Sequence, residues 1–178
     1  MNMTVDCEAE GEERELSYSQ FCAECSRLVQ ISDGLGDGWR LAGRQSDLWL
    51  EVSHSLSVSG RAAVCQYEVH YSLSYRVPVL LCRVCWSSGE LVDHDTVRRE
   101  VLGETVSCHM VSMAPHPLTG LPWLQVHPCK TEAVTRQMRT GGAEQCNYLV
   151  TFLSLYGQAV GLNLSTEYAA NREQDEDG

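Results

Sequence analysis

Cys129 lies in a sequence context that favours a nucleophile. It follows Pro128, whose ring fixes the φ angle and which has no backbone N–H to donate. His127 and Lys130 flank this pair and place potential positive charge on both sides of the thiol, which stabilises the reactive thiolate. An unperturbed cysteine has a pKa of about 8.5, so modest tuning at neutral pH changes the reactive fraction. The segment therefore predicts a thiol nucleophile in an accessible loop.

The remaining cysteines and histidines fit other chemistry less well. Two C-x-x-C pairs, Cys22 with Cys25 and Cys82 with Cys85, could in principle supply the four ligands of a structural zinc site. The first pair falls on the apolar face of a predicted helix. The second falls in a predicted strand, where residues three apart point to opposite faces. We therefore expect both pairs to pack in the interior, and we expect no metal and no cofactor. Zinc and a redox pair are the alternatives.

Composition and charge indicate one globular domain between two acidic tails. The chain has 178 residues, 43% of them hydrophobic, and a formal net charge of −11. Acidic residues are concentrated in residues 1–15 and 171–178, which we expect to be disordered. Residues 16–170 are expected to form a single catalytic domain. The lack of a clustered basic surface argues against nucleic-acid binding and against attachment to anionic membranes.

No segment of the sequence resembles a signal peptide, a transit peptide or a membrane-spanning helix. We therefore expect a cytoplasmic protein that does not insert stably into membranes. Because the cytoplasm is reducing, the nine cysteines are not expected to form disulfides.

The hydrophobic pattern predicts an α+β fold. Apolar residues at three- and four-residue steps predict a helix over residues 16–31, capped by Ser17 or Ser19, followed by a loop over residues 32–38. Strict alternation over residues 63–77 predicts a long antiparallel strand with one solvated face, broken or kinked by Pro78. Further strands are predicted at residues 39–41, 48–58, 79–86 and 123–126, and further helices at residues 93–102, 131–139 and 147–160. Residues 114–122, with three prolines, are expected to be irregular.

Several sequence motifs together resemble the autophagy E2-like conjugating enzymes. They are residues 127–131 around the cysteine, 71–80 in the central strands, 116–120, 147–148 and 160–164, with a weaker match at 36–39. The resemblance spans roughly residues 17–168. It implies an E2-like fold, in which an N-terminal helix packs on a four-stranded antiparallel sheet with helices at the C-terminal end.

The resemblance also implies an activity and partners. Cys129 would accept a ubiquitin-like modifier, autophagy-related protein twelve, from an E1-like activating enzyme, autophagy-related protein seven. It would carry the modifier as a thioester and pass it to a lysine of autophagy-related protein five. The lipid-conjugating autophagy E2 is an alternative, but that type uses a basic or amphipathic N-terminus and this chain begins with an acidic one. A non-catalytic E2-like interaction module is a second alternative.

One departure from ubiquitin E2 enzymes concerns the oxyanion. Those enzymes carry His-Pro-Asn upstream of the cysteine, whereas here His116 and Pro117 are followed by Leu118, which has no side-chain donor. Other groups must then stabilise the oxyanion. The candidates are the backbone N–H groups near Lys130 and Thr131, the hydroxyl of Thr131 or Tyr71, and the amide of Asn147. Tyr71 is the preferred side chain, with sheet packing as its alternative role, while Asn147 is better explained as a helix cap.

The same segment raises two further hypotheses. His127 could act as a base toward the acceptor amine, or it could hold the loop in place. Lys130 is the only lysine among the 13 basic residues of the chain. A shortage of lysine would limit self-modification by the loaded thioester, although a compositional drift toward arginine explains the count equally simply.

Overall fold

The computed structural model describes residues 16–102, 110–128 and 147–170. In these ranges the chain forms helices α1 (Tyr18–Leu35), α2 (His94–Glu100), α3 (Tyr148–Tyr156) and α4 (Glu167–Ala170), with a 3₁₀ turn at Gly157–Val160. The strands are β1 (Arg40–Arg44), β2 (Asp47–Val58), β3 (Arg61–Ser72), β4 (Val77–Trp86), β5 (Val111–Pro115) and β6 (Pro122–Val126). The predicted tails, residues 1–15 and 171–178, and the predicted helix at residues 131–139 lie outside the described residues.

Helix α1 begins at a complete capping box. The Ser17 side chain accepts from the Gln20 backbone N–H, and the Gln20 side chain accepts from the Ser17 backbone N–H. The helix continues four residues beyond the predicted end, to a left-handed Gly36 with φ 69°. Its last turn includes Ser32, which is buried and whose hydroxyl accepts from the Trp39 backbone N–H at 2.9 Å. Polar residues that predicted a loop are therefore part of the helix.

The described strands form one antiparallel sheet in the order β1-β2-β3-β4-β6-β5. Nine residue pairs join β2 to β3 and ten join β3 to β4, whereas only two join β4 to β6. The sheet has six strands where four were expected. Strand β5 falls partly in the proline-containing segment predicted to be irregular, and Pro115 is tolerated because β5 is an edge strand.

The predicted strand at residues 63–77 ends at Ser72, and a turn at residues 73–76 joins β3 to β4. Arg76 closes that turn with a φ of 51°, and the alternating Leu73 and Tyr75 are 79% and 45% exposed. The predicted break at Pro78 is wrong, because Pro78 is the second residue of β4. It lies outside the short ladder between β4 and β6, so its missing N–H removes no bond of that ladder.

Helices α1 and α3 pack on the face of the sheet to which β3 contributes Cys65, Tyr67 and Val69. Phe21 and Phe152 are among the largest fully buried side chains of this core, and each contributes about 1.5–3 kcal/mol by leaving water. The Tyr67 hydroxyl donates to the backbone carbonyl of Val160 at 3.1 Å and joins the sheet to the C-terminal turn. The α+β class and the helix-on-sheet arrangement predicted from the sequence are confirmed.

Candidate active site

Strand β6 leads directly into the predicted catalytic segment. His127 and Pro128 follow the strand, and both are half-buried. The backbone N–H of His127 donates to the carbonyl of Met110 at 2.9 Å, which extends the pairing of β5 with β6 by one residue. The hairpin therefore fixes the chain up to the residue before Pro128. Cys129, Lys130 and Thr131 lie outside the described residues.

Tyr71 lies at the same end of the sheet. It is opposite Pro78, near the start of β4. Because Leu81 of β4 is opposite Gln125 in an antiparallel ladder, the start of β4 lies beside the end of β6. Tyr71 and His127 are thus separated by two strand spacings of roughly 4.8 Å each. The motif at residues 71–80 and the described part of the second motif, His127 and Pro128, therefore come together in the fold.

The hydroxyl proton of Tyr71 is directed at the backbone carbonyl of Leu16. The Tyr71 ring packs against Tyr18 and Phe21, with ring centroids 5.6 and 5.5 Å apart. This arrangement fixes the start of α1 to the end of β3. In this conformation Tyr71 has a clear packing role, and serving an oxyanion would require its hydroxyl to leave Leu16.

Asn147 is the N-cap of α3. Its side-chain oxygen accepts from the backbone N–H groups of Leu149 and Val150 at 2.9 and 3.2 Å, and its amide donates to the Glu24 carbonyl at 3.2 Å. The Glu24 carboxylate in turn accepts from the Tyr148 backbone N–H at 2.8 Å. These bonds confirm the cap and use the amide to join α3 to α1.

One member of each C-x-x-C pair is buried as expected, whereas Cys22 and Cys85 are only half-buried. Cys25, Cys65 and Cys82 are buried, and the Sγ atoms of Cys65 and Cys82 lie 3.4 Å apart. Burial raises the pKa of Cys25, and the Cys65 contact together with burial raises the pKa of Cys82. The buried thiols of Cys25 and Cys82 are therefore poor nucleophiles and poor metal ligands. In the part of the chain that the structure describes, the two C-x-x-C pairs do not form a group of metal ligands.

A cluster that the sequence pattern did not reveal lies on the outer face of the sheet, opposite the helices. The Nε2 atoms of His70 and His116 lie 2.6 and 2.8 Å from the same oxygen of Glu68, Oε2. Burial raises the pKa of Glu68, the two histidine contacts lower it, and the net shift is downward. The outer face of β3 was predicted to be solvated, but the side chains of Glu68 and His70 are each only 14% exposed. That prediction is wrong here because Trp123 and the turn containing His116 cover this part of the sheet.

Two histidines and a carboxylate are also the donor set of many metal sites. The environment of His116 argues against one here. Its Nδ1 accepts from the backbone N–H groups of Leu118 and Thr119, both at 3.2 Å. A neutral ring with Nδ1 unprotonated carries its proton on Nε2, the atom that faces Glu68. Ligation through Nε2 would move the proton to Nδ1 and break both bonds to the turn, so the residues fit a hydrogen-bonded cluster better than a metal.

The turn containing His116, Pro117 and Leu118 lies at the other end of β6 from the predicted nucleophile. The turn connects Pro115 to Pro122, which are opposite one another. Five extended residues at about 3.3 Å each place it roughly 16 Å from the start of the His127 segment. Leu118 is moreover 53% exposed. This turn is therefore not placed to supply an oxyanion donor, whichever residue occupies its third position.

Comparison with known proteins identifies the family. A family model described as "Autophagocytosis associated protein, active-site domain" matches residues 50–167. The chain belongs to this family. The matched region includes most of β2, all of β3 to β6, the His127–Pro128–Cys129 sequence and α3. It confirms the resemblance noted from the motifs.

Named relatives agree with this assignment. The chain is 32% identical over 143 residues to "Ubiquitin-like-conjugating enzyme ATG10" of Homo sapiens, covering 73% of this chain and 64% of the relative. It is 30% identical over 131 residues to the protein of the same name from Arabidopsis thaliana, covering 65% of this chain and 58% of that relative. The chain thus spans somewhat less than two thirds of the curated relatives that it matches.

A solved structure shows the fold. "Crystal structure of Autophagic E2, Atg10" superposes with a TM-score of 0.50 and 16% identity, covering 83% of this chain and 97% of the other. The fold of this autophagocytosis-associated protein is therefore E2-like, as expected. No helix in the described ranges combines the length and the apolar character needed to cross a bilayer.

Proposed function

We propose that this chain is an E2-like conjugating enzyme that carries a ubiquitin-like modifier as a thioester on Cys129. The observation that carries the proposal is the match of the active-site family to a region that includes His127, Pro128 and Cys129 at the end of β6. The burial of Cys25, Cys65 and Cys82 supports it, because these thiols are inaccessible to a protein-bound thioester.

We further propose the partners named by the resemblance. The modifier is autophagy-related protein twelve, the activating enzyme is autophagy-related protein seven, and the acceptor is autophagy-related protein five, in the cytoplasm. The similarity to proteins named ATG10 supports this choice over the lipid-conjugating alternative.

The reaction is acyl transfer in two steps. The Cys129 thiolate attacks the carbonyl carbon of the thioester between the modifier and the activating enzyme. A tetrahedral oxyanion forms and collapses with release of the activating enzyme's thiolate. The amine of the acceptor lysine then attacks the Cys129 thioester, loses a proton and expels the Cys129 thiolate. An isopeptide bond forms and the cysteine is regenerated.

The second step requires a neutral amine. A lysine with a pKa of about 10.4 is neutral in roughly one molecule in 2,500 at pH 7, which costs about 4.6 kcal/mol. Desolvation of the acceptor in the complex or a nearby base must recover part of this cost. His127 is the candidate base on this chain, since it is half-buried and its backbone is fixed by the bond to Met110.

The oxyanion of both steps requires donors close to Cys129. Asn147 is held in its cap and Leu118 lies at the far end of β6. The backbone N–H groups near Lys130 and Thr131, and the hydroxyl of Thr131, are therefore the donors that we favour.

A loading assay tests the proposal. The chain is incubated with the activating enzyme, the modifier and ATP, and the products are resolved with and without reductant. We expect a reductant-sensitive adduct with the wild type, a reductant-resistant adduct or none with Cys129→Ser, and a normal adduct with Cys85→Ser, a matched thiol on β4. Addition of autophagy-related protein five should consume the adduct, whereas vesicles containing phosphatidylethanolamine should not. Absence of any adduct with the wild type would reject the enzyme assignment.

A further inference from the structure

We propose that Glu68 is a positioning residue for the catalytic segment, acting through His116 to fix the hairpin formed by β5, the turn at residues 116–121 and β6. This inference rests on the proposed function of Cys129. It concerns a carboxylate on the outer face of β3, which has no place in the acyl-transfer steps.

The hairpin has little backbone attachment to the rest of the sheet. Strand β5 pairs only with β6 among the described strands, and β6 is joined to β4 by two residue pairs. The neighbouring ladders have nine and ten pairs. Side-chain contacts must therefore determine how the hairpin is oriented on the sheet. On the inner face, Leu124 and Val126 pack into the main core, and on the outer face Trp123 packs on Val79 and Leu81.

Apolar contacts of this kind are non-directional. Glu68 adds a directional contact, a hydrogen bond. Its Oε2 atom lies 2.8 Å from Nε2 of His116. The opposite ring atom, Nδ1, accepts from the backbone N–H groups of Leu118 and Thr119. A continuous set of hydrogen bonds therefore runs from the carboxylate of β3 through one ring to the backbone of the turn. His116 is 4% exposed, so water competes little for these bonds.

His70 holds the carboxylate in place from the other side. Its Nε2 lies 2.6 Å from the same Oε2 atom, and its ring stacks on Trp49 at a centroid distance of 5.4 Å with an interplanar angle of 16°. Because Glu68 is fixed by its own strand and by His70, it can restrain His116 and with it the whole turn.

Restraint at the turn affects the opposite end of β6. The strand is a short extended segment, so a tilt of the hairpin about its two ladder pairs moves His127 and Pro128, and Cys129 with them. A misplacement of about 1 Å at a reacting atom can reduce a rate by about 100-fold. We expect Glu68→Ala to slow thioester loading by about 10- to 100-fold at an unchanged folded fraction.

The experiment compares Glu68→Ala and Glu68→Gln with Glu51→Ala. Glu51 is a matched control because it also lies on the outer face, and within the described ranges its carboxylate accepts hydrogen bonds from Trp49 and Arg40 and none from the hairpin. Amide hydrogen exchange is measured over residues 110–128 and over β2, together with single-turnover loading and thermal unfolding. Glu68→Ala should speed exchange in residues 110–128 by about 10-fold, leave β2 unchanged and slow loading. Glu68→Gln, which keeps an acceptor oxygen, should recover most of both, and Glu51→Ala should resemble the wild type.

Two results overturn the proposal: unchanged exchange in residues 110–128, or faster exchange there with normal loading. If Glu68→Ala does not fold, Glu68→Thr replaces it, because threonine suits a strand and its short side chain does not reach His116. Wild-type exchange in residues 110–128, or faster exchange there with normal loading, then overturns the proposal in that variant. If the wild type itself accepts no modifier, the proposed function fails separately. Alkylation of Cys129 by iodoacetamide then replaces loading, and equal rates in the wild type and Glu68→Ala overturn the positioning role.

Discussion

The side-chain amide of Asn147 donates to the backbone carbonyl of Glu24 across 123 positions of sequence. The Glu24 carboxylate accepts a hydrogen bond from the backbone N–H of Tyr148. Two reciprocal bonds thus join the first turn of α3 to the middle of α1. A residue that the sequence offered both as a cap and as an oxyanion donor is therefore placed where it connects two helices.

Asn147 variants separate these roles. Asn147→Ala removes the cap and the bond to Glu24, so the free energy of unfolding should fall by about 0.5–2 kcal/mol. Asn147→Asp keeps the cap acceptors and should lose less. Chemical denaturation measures both, and loading per folded molecule should stay near the wild-type value. A 100-fold loss of loading in a stable Asn147→Asp protein would restore the oxyanion assignment.

Tyr71→Phe should be mild for catalysis. The substitution keeps the ring packing against Tyr18 and Phe21 and removes the bond to Leu16. We expect a stability loss of about 0.5–1.5 kcal/mol and a loading rate within about 10-fold of the wild type. Removal of a true oxyanion donor costs about 100- to 1,000-fold, so a loss of that size at normal stability would show that the hydroxyl leaves Leu16 during the reaction.

A Lys130 variant tests whether the scarcity of lysine protects the loaded enzyme from modifying itself. Lys130 is the only lysine of the chain, and it adjoins the predicted nucleophile. On prolonged incubation without acceptor, we expect a slow reductant-resistant adduct on Lys130 that disappears in Lys130→Arg. Peptide mass spectrometry identifies the site. Equal amounts of the resistant adduct in both proteins would eliminate the idea and leave compositional drift as the explanation.

The Glu68 cluster should make the free energy of unfolding decrease at acid pH. Since the folded-state pKa of Glu68 is lowered, its contribution is fully present above the unfolded-state pKa of about 4.3 and is lost as pH falls through the lower folded-state value. The difference in unfolding free energy between the wild type and Glu68→Gln should shrink as the pH falls below about 4.3. Urea titrations between pH 3 and 7 measure it. A difference that persists unchanged to pH 3 would contradict this assignment.

The sequence predicted those features that depend on local periodicity and capping. The apolar face of α1, the caps at Ser17, Asp93 and Asn147, and the burial of Cys25 and Cys82 follow from residue type and spacing. The motifs also indicated the family, because the resemblance rests on several separate segments and not on residues 127–131 alone.

The features that the sequence did not reveal depend on contacts between distant segments. Glu68 and His70 alternate with core residues and therefore predicted a solvated face, and only the folding of the β5–β6 turn over that face buries them. The break after Ser72 was also hidden, since Leu73 and Tyr75 continue the alternation while lying in an exposed turn. Periodicity reports which residues share a side of a strand, and it does not report what covers that side.

The two-pair ladder between β4 and β6 has a consequence for the order of folding. Strands β2, β3 and β4 are joined by tight connections and long ladders, so their contacts are local and carry a small loop-closure cost. The β5–β6 hairpin closes a longer loop and forms fewer hydrogen bonds with the rest of the sheet. We therefore expect it to dock late during folding and to detach early during unfolding. Partial unfolding should thus remove the predicted acyl-carrying end while the three-stranded meander persists. Inactivation by heat or denaturant would then precede the loss of bulk secondary structure.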